Sequence, residues 1–506
     1  MMGVLPVRSR AAVTALLLAA GTLAPGCSAR PARQKASAAT GAPRDATEGA
    51  APAPLPVLPP EQVRWIVIGG GSSPEYNQIS IEQDVALAQE VLGAGGQAFV
   101  AGGPGHRAVQ VLGRTGLRAG DPLARVLGEL FNPRGGRESR YQRSRLGLVG
   151  ASTYAEVQAA VDRAAQAGRA PLLLLLNGHG DRGNQAADNS VGLWGQSKLT
   201  AKELAEWLDG ATRPVRVLVT TCYGGGFAEL AFAQADPKKG AAPGARCGFF
   251  ATTEDLPATG CDPSPDRAAH EGYAVYFFNA LRGRSPSGQP LPRERVDTNR
   301  DGKISLIEAH NWVRVASSAP DVPTSTSERW LRAVAPKSGR RAAVELPEEE
   351  RVIASLAAST KQAADPTAVH ARLDALEDEI DKVRTQRDEA SQTEDTAAHA
   401  LAGELLARWP VLDDPWHPDF ASTLARHRQA ISRLVHASPR YADYQTARKA
   451  VDDADAAYWA LRRLAAPVER LARAMDTVEF AERLKAKGGA DWHTYARLLA
   501  CERGLP

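Results

Sequence analysis

Two residues of this chain have side chains suited to nucleophilic chemistry, and both stand in the same kind of place. His179 follows the apolar run 172–176, in Leu176-Asn177-Gly178-His179-Gly180-Asp181. Cys222 follows the apolar run 215–219, in Val219-Thr220-Thr221-Cys222-Tyr223-Gly224-Gly225-Gly226. A thiolate attacks a carbonyl carbon, while a neighbouring imidazole stabilises the thiolate and then protonates the departing amine. Glycines on both sides of His179, and three after Tyr223, let a substrate backbone come close. The amides of Gly180 and Cys222 are candidates for holding the oxyanion, and one such donor is worth roughly two to three orders of magnitude in rate.

This pairing requires the two runs to be strands whose carboxyl ends meet. Short, nearly continuous apolar runs predict buried strands at 65–68, 97–100, 172–176, 215–219 and 249–251. Helical spacing falls between them, at 80–92, 153–167 and 272–281, and the capping box Thr200-x-x-Glu203 opens another helix. Residues 102–150 are rich in Gly and Arg and read as loop. The alternation predicts an α/β fold, a mostly parallel sheet with helices on both faces. In such sheets, sites form beyond the carboxyl ends of the strands. A single crossover spans the 43 residues between the two candidates (222 − 179) and makes their strands neighbours or near neighbours.

With these two strand ends, the chain resembles the caspase–legumain–gingipain group of cysteine peptidases over roughly residues 62–320. In that group a hydrophobic strand ends in His-Gly, and the next ends in a small residue followed by the catalytic cysteine. The resemblance implies a caspase-like domain over 61–330, with His179 as general base, Cys222 as nucleophile and Gly180 as an oxyanion donor. It also implies a protein or peptide substrate. The Ser-Pro-Glu-Tyr-Asn segment at 73–77 sits where such proteins carry substrate-facing loops. Caspases carry Gln two residues before the cysteine, legumains Glu and metacaspases Asp; here Thr220 stands there, which leaves the preferred substrate residue open. Two alternatives stay open beside the peptidase. One is a catalytically silent scaffold of the same fold; the other is a calcium-dependent structural or adhesion module.

A second constellation concerns a metal. Asp297-Thr298-Asn299-Arg300-Asp301-Gly302-Lys303-Ile304-Ser305-Leu306-Ile307-Glu308 matches the twelve-residue EF-hand loop for Ca2+. Asp297, Asn299, Asp301 and Ser305 supply side-chain oxygens, Lys303 its carbonyl and Glu308 a bidentate carboxylate, with Gly302 at the turn. Pro290 and Pro292 weaken the preceding helix, so a lone structural loop is expected rather than a paired sensor. His106, His270 and His310 have no metal-ligand spacing and are expected at the surface. Gly69-Gly70-Gly71 lacks the spacing of a phosphate loop.

The remaining sequence bounds compartment and partners. Arg8, Arg10 and the short apolar run 11–20 precede Leu23-Ala24-Pro25-Gly26-Cys27, which resembles a bacterial lipoprotein signal over 1–27. The expectation is export to the bacterial cell envelope, with Cys27 lipidated and the membrane met through that lipid alone. Ser28 favours an outer-membrane destination. Residues 28–60, rich in Ala and Pro, read as a tether. Cys247 and Cys261, on either side of a short strand in an exported chain, are the disulfide candidates, and Cys501 has no evident partner. Residues 346–506 carry helical periodicity with no strand pattern and read as a separate all-α region, a candidate surface for a protein partner. A net charge of +3 over 506 residues, with no basic stripe, excludes a nucleic-acid partner.

Overall fold

A computed structural model describes residues 54–112, 122–131, 139–261, 264, 266, 270–414 and 417–506. The signal segment, Cys27 and most of the tether lie outside the described residues. Each expected apolar run is a strand. The central sheet contains β1 (Trp65–Gly70), β2 (Gly96–Val100), β3 (Leu172–Gly178), β4 (Val215–Val219), β5 (Arg246–Phe250) and β6 (Thr324–Ser325). Their spatial order is β6-β5-β4-β3-β1-β2, parallel throughout except for the antiparallel edge strand β6.

The period of two along each strand feeds two cores. Ile66 and Ile68 of β1, Leu172, Leu174 and Leu176 of β3, and Val215, Val217 and Val219 of β4 pack on one face. There they meet Val157 and Val161 of Tyr154–Ala165 and Leu204 and Leu208 of Ala201–Leu208. Val67, Leu173, Leu175, Leu218 and Phe249 pack on the other face, against Ile79–Leu92, Tyr273–Leu281, Leu306–Ala316 and Thr326–Val334. Helices thus cover both faces, as a run of buried parallel strands requires. The capping box is formed: Glu203 N donates to Thr200 Oγ1 at 3.1 Å, and Thr200 N donates to Glu203 Oε2 at 2.8 Å.

Within 102–150 the structure departs from the expected loop. Ala108–Leu112 and Ser139–Arg143 form an antiparallel pair, and Pro122–Phe131 is a helix. Leu123, Val126, Leu127 and Leu130 have the spacing of one helical face, a short signal lost among glycines and arginines.

The C-terminal part is helical: Pro347–Thr360, Pro366–Leu406, Phe420–Ala437, Pro439–Lys487 and Gly489–Glu502. It is not set apart from the sheet. Ala481, Leu484, Tyr495, Leu498 and Leu499 belong to the same core as the sheet. The tip of the long helices packs with Leu123, Val126 and Leu127, which join Leu401, Leu405, Ile431 and Val435. Cys247 of β5 is disulfide-bonded to Cys501, not to Cys261. The expected Cys247–Cys261 pair is therefore wrong: β5 turns its cysteine toward the last helix, which sequence spacing could not reveal. The Cys261 sulfur lies 3.5 Å from the carbonyl oxygen of Gly178.

Candidate active site

β3 and β4 are adjacent and parallel, with Leu176 opposite Val219. His179 and Cys222 each lie three residues beyond that matched pair (179 − 176 = 222 − 219 = 3), so the two strand ends carry them at the same height. The backbones are in close contact there. A Cβ built on Gly180 would stand 2.1 Å from the Cys222 carbonyl oxygen and 2.8 Å from Thr221 Oγ1, so this position needs glycine. Tyr223 adopts φ +58°, a left-handed conformation that costs a non-glycine residue about 1–3 kcal/mol. That turn sends the chain from β4 directly into the helical segment Gly224–Ala231 and fixes Cys222 at the bend.

His179 is half-buried and its ring is oriented by the segment after β1. Nε2 lies 2.9 Å from the Tyr76 carbonyl oxygen and 2.7 Å from Gln78 Oε1. Both partners are acceptors, since Gln78 turns its amide nitrogen to the Glu75 carbonyl and to Gln110 Oε1. Nε2 therefore carries the proton, and in the neutral ring Nδ1 is the basic nitrogen. The 73–77 segment, anticipated as substrate-facing, thus supplies the Tyr76 carbonyl to the imidazole. Gln78 was not anticipated: a single glutamine ahead of an apolar helix carries no distinguishing signal.

The thiol of Cys222 is 1% exposed and sealed by the segment that follows β5. Sγ accepts from the Ala258 amide at 3.3 Å and donates toward the Ala258 carbonyl at 3.5 Å. The cover is tied down at several points. Tyr223 N donates to the Leu256 carbonyl at 2.9 Å, and Asn189 Nδ2 donates to the carbonyls of Tyr223 and Glu254. Thr259 gives its amide (2.9 Å) and hydroxyl (2.8 Å) to the buried carboxylate of Asp321. Burial pushes the Cys222 thiol up to about 12, and the negative charges of Asp321 and Asp181 add to the rise. In this closed arrangement the sulfur is a thiol at neutral pH, without the thiolate character that nucleophilic attack needs.

The remaining candidates fall elsewhere. Asp297, Asn299, Asp301, Lys303 and Ser305 lie in the turn between the short helix Arg293–Val296 and Leu306–Ala316, and Glu308 stands in the first turn of the latter. His106 is exposed as expected. His270 and His310 are buried, contrary to expectation: His310 is in the core, 2.7 Å from Tyr273 Oη and packed on Phe249, and burial holds it well below the usual histidine range. Among the described residues no helix is long and apolar enough to cross a membrane. No protein-family model matches the chain, and no curated protein is similar to it.

Proposed function

We propose that the chain is a cysteine endopeptidase of caspase-like architecture, held in a closed resting arrangement. The observation that supports this reading is the pairing of β3 and β4, whose neighbouring carboxyl ends lead into His179, with its oriented ring, and Cys222, just before a strained bend. Cleavage begins when Cys222 Sγ gives its proton to His179 Nδ1 and attacks a peptide carbonyl. The C–N bond then breaks, and the imidazolium returns the proton to the leaving amine. Water hydrolyses the thioester with His179 as base. Tyr76 and Gln78 hold the ring through Nε2–H and stabilise the imidazolium. Before any of this, the 252–261 segment must leave Sγ.

A second reading is supported by the sealed thiol itself: a silent scaffold whose C-terminal helices bind a protein partner. The export signal, with lipidation at Cys27 and an outer-membrane destination, belongs to both readings. Incubation with a peptidyl acyloxymethyl ketone, followed by mass mapping, separates them. The peptidase reading expects covalent label on Cys222 that falls at least tenfold in His179→Ala and vanishes in Cys222→Ser. Label that accumulates no faster on Cys222 than on the unfolded protein, and is indifferent to His179→Ala, gives the scaffold reading.

A further inference from the structure

We infer that the loop from Asp297 to Glu308 binds one calcium ion, and that the ion draws Glu308 out of a helix cap to complete its coordination. The loop has the bend a hard cation requires. Arg300 at φ +60° and Gly302 at φ +81° turn the chain back on itself, and the Gly302 amide donates to Asp297 Oδ2 at 3.0 Å. That bond faces the first carboxylate into the turn. Asn299 Oδ1 accepts from the Asp301 amide at 2.9 Å, and Asn299 Nδ2 touches Asp301 Oδ2 at 3.2 Å. The donors at positions one, three and five of the loop therefore sit around one turn.

A second, independent observation points to a ligand. The Asp297 side chain is only 7% exposed, and its Oδ1 is buried with no hydrogen-bond partner. A buried, unsatisfied carboxylate oxygen costs free energy, which a coordinated cation would remove. Its one cationic neighbour among the described residues is the exposed Arg293, 3.5 Å from the other oxygen.

Glu308 is 2% exposed. Its Oε2 accepts from the amide and hydroxyl of Ser305, which is the N-cap of Leu306–Ala316. Its Oε1 accepts from Thr298 N, Thr298 Oγ1 and Asn299 N, at 2.8, 3.0 and 3.2 Å. This carboxylate holds the two ends of the loop together through five hydrogen bonds. Among the described residues no three acidic, His or Cys side chains are close enough to chelate an ion. Glu308 must therefore turn, exchanging loop amides for the ion. Carboxylate, amide and carbonyl oxygens around a flexible turn suit calcium, whereas magnesium demands tight octahedral geometry.

The test is calorimetric titration of calcium chloride into the chelator-treated full-length protein, repeated with magnesium. A single site is expected, with a dissociation constant between about 10⁻⁶ and 10⁻³ M and magnesium at least tenfold weaker. Asp301 is exposed, so Asp301→Ala leaves the fold intact while weakening calcium at least tenfold. Glu308→Gln keeps one acceptor oxygen and turns an NH2 group toward the remaining donors, so it should weaken calcium at least tenfold and also lower the melting temperature without calcium. No heat at calcium up to about 10 mM overturns the site. Wild-type affinity in Asp301→Ala and Glu308→Gln overturns this ligand set.

Discussion

What Cys222 can do is decided by its immediate contacts, among them a glycine against its carbonyl oxygen and the Ala258 backbone at its sulfur. Gly180 allows the β3 end to lie directly against the Cys222 carbonyl. Gly180→Ala would drive a methyl group into that oxygen and into Thr221 Oγ1, neither of which is the end of a flexible side chain. The expected cost is about 1–3 kcal/mol, with the urea midpoint lowered accordingly. An unchanged midpoint would mean that the strand ends separate easily. The strand-end positions of His179 and Cys222 were legible in the sequence because each follows a short apolar run. Gln78, Thr259 and Asp321 were not, since each acts through one or two hydrogen bonds to a residue distant in the chain. A lone polar residue has no period to betray it.

At the scale of elements, the segment 252–261 acts as a cover whose hinge points are chemical. Thr259 donates twice to Asp321, and Ala258 meets the sulfur with its amide and carbonyl. Thr259→Val keeps the shape and removes the hydroxyl donor. Alkylation of Cys222 by iodoacetamide should then rise several-fold over wild type at pH 8; an unchanged rate would show that the Asp321 contact does not hold the cover. The strands and the main helices were readable from periodicity, because burial on both faces imposes apolar runs on the strands and one apolar stripe on each helix. The pair Ala108–Leu112 and Ser139–Arg143 was not, since Gln110 interrupts the first strand and the second, Ser-Arg-Tyr-Gln-Arg, has no apolar run.

Across the whole molecule, the C-terminal helices are keyed into the sheet by buried polar groups. Arg470, wholly buried and lowered by that burial to about 10, donates to the carbonyls of Arg314, Ser317, Ala319 and Asp321. Glu502 accepts from Thr326 Oγ1, Ser327 N and Ser327 Oγ at 2.6–2.8 Å, and burial raises it to about 7. The native state thus keeps a proton that the unfolded chain releases near pH 4.5, so this group's contribution falls as pH rises from 4.5 to 7. The full span is on the order of 3 kcal/mol. Asp321, raised by burial to about 6, adds a loss of the same sign. Glu328, held down at about 2 by the neighbouring Arg473 and Arg332 against its own burial, stays ionised above pH 5 and does not interfere. His310, held well below 6.5 by burial, gives the opposite slope up to that pH, so the comparison is the test: between pH 5 and 8 the melting temperature of the wild type should fall relative to that of Glu502→Gln. Parallel curves for the two proteins would mean that Glu502 is ionised in the folded state.

The Cys247–Cys501 bond also bears on the order of events during synthesis. The two cysteines are 254 residues apart, so at about 5–20 residues per second the first waits roughly 10–50 s for the second. Cys261 follows Cys247 by only fourteen residues (261 − 247). In a random coil, closing that shorter ring is easier by roughly 2–3 kcal/mol. Chain statistics thus favour the pair that the finished protein lacks. The native bond can dominate only after the last helix has docked on β5, or after thiol exchange has undone an early mistake. The disulfide behaves as a seal applied on inspection: it closes on molecules whose two distant parts have already met, and an oxidising compartment that acts too soon would fix the error instead.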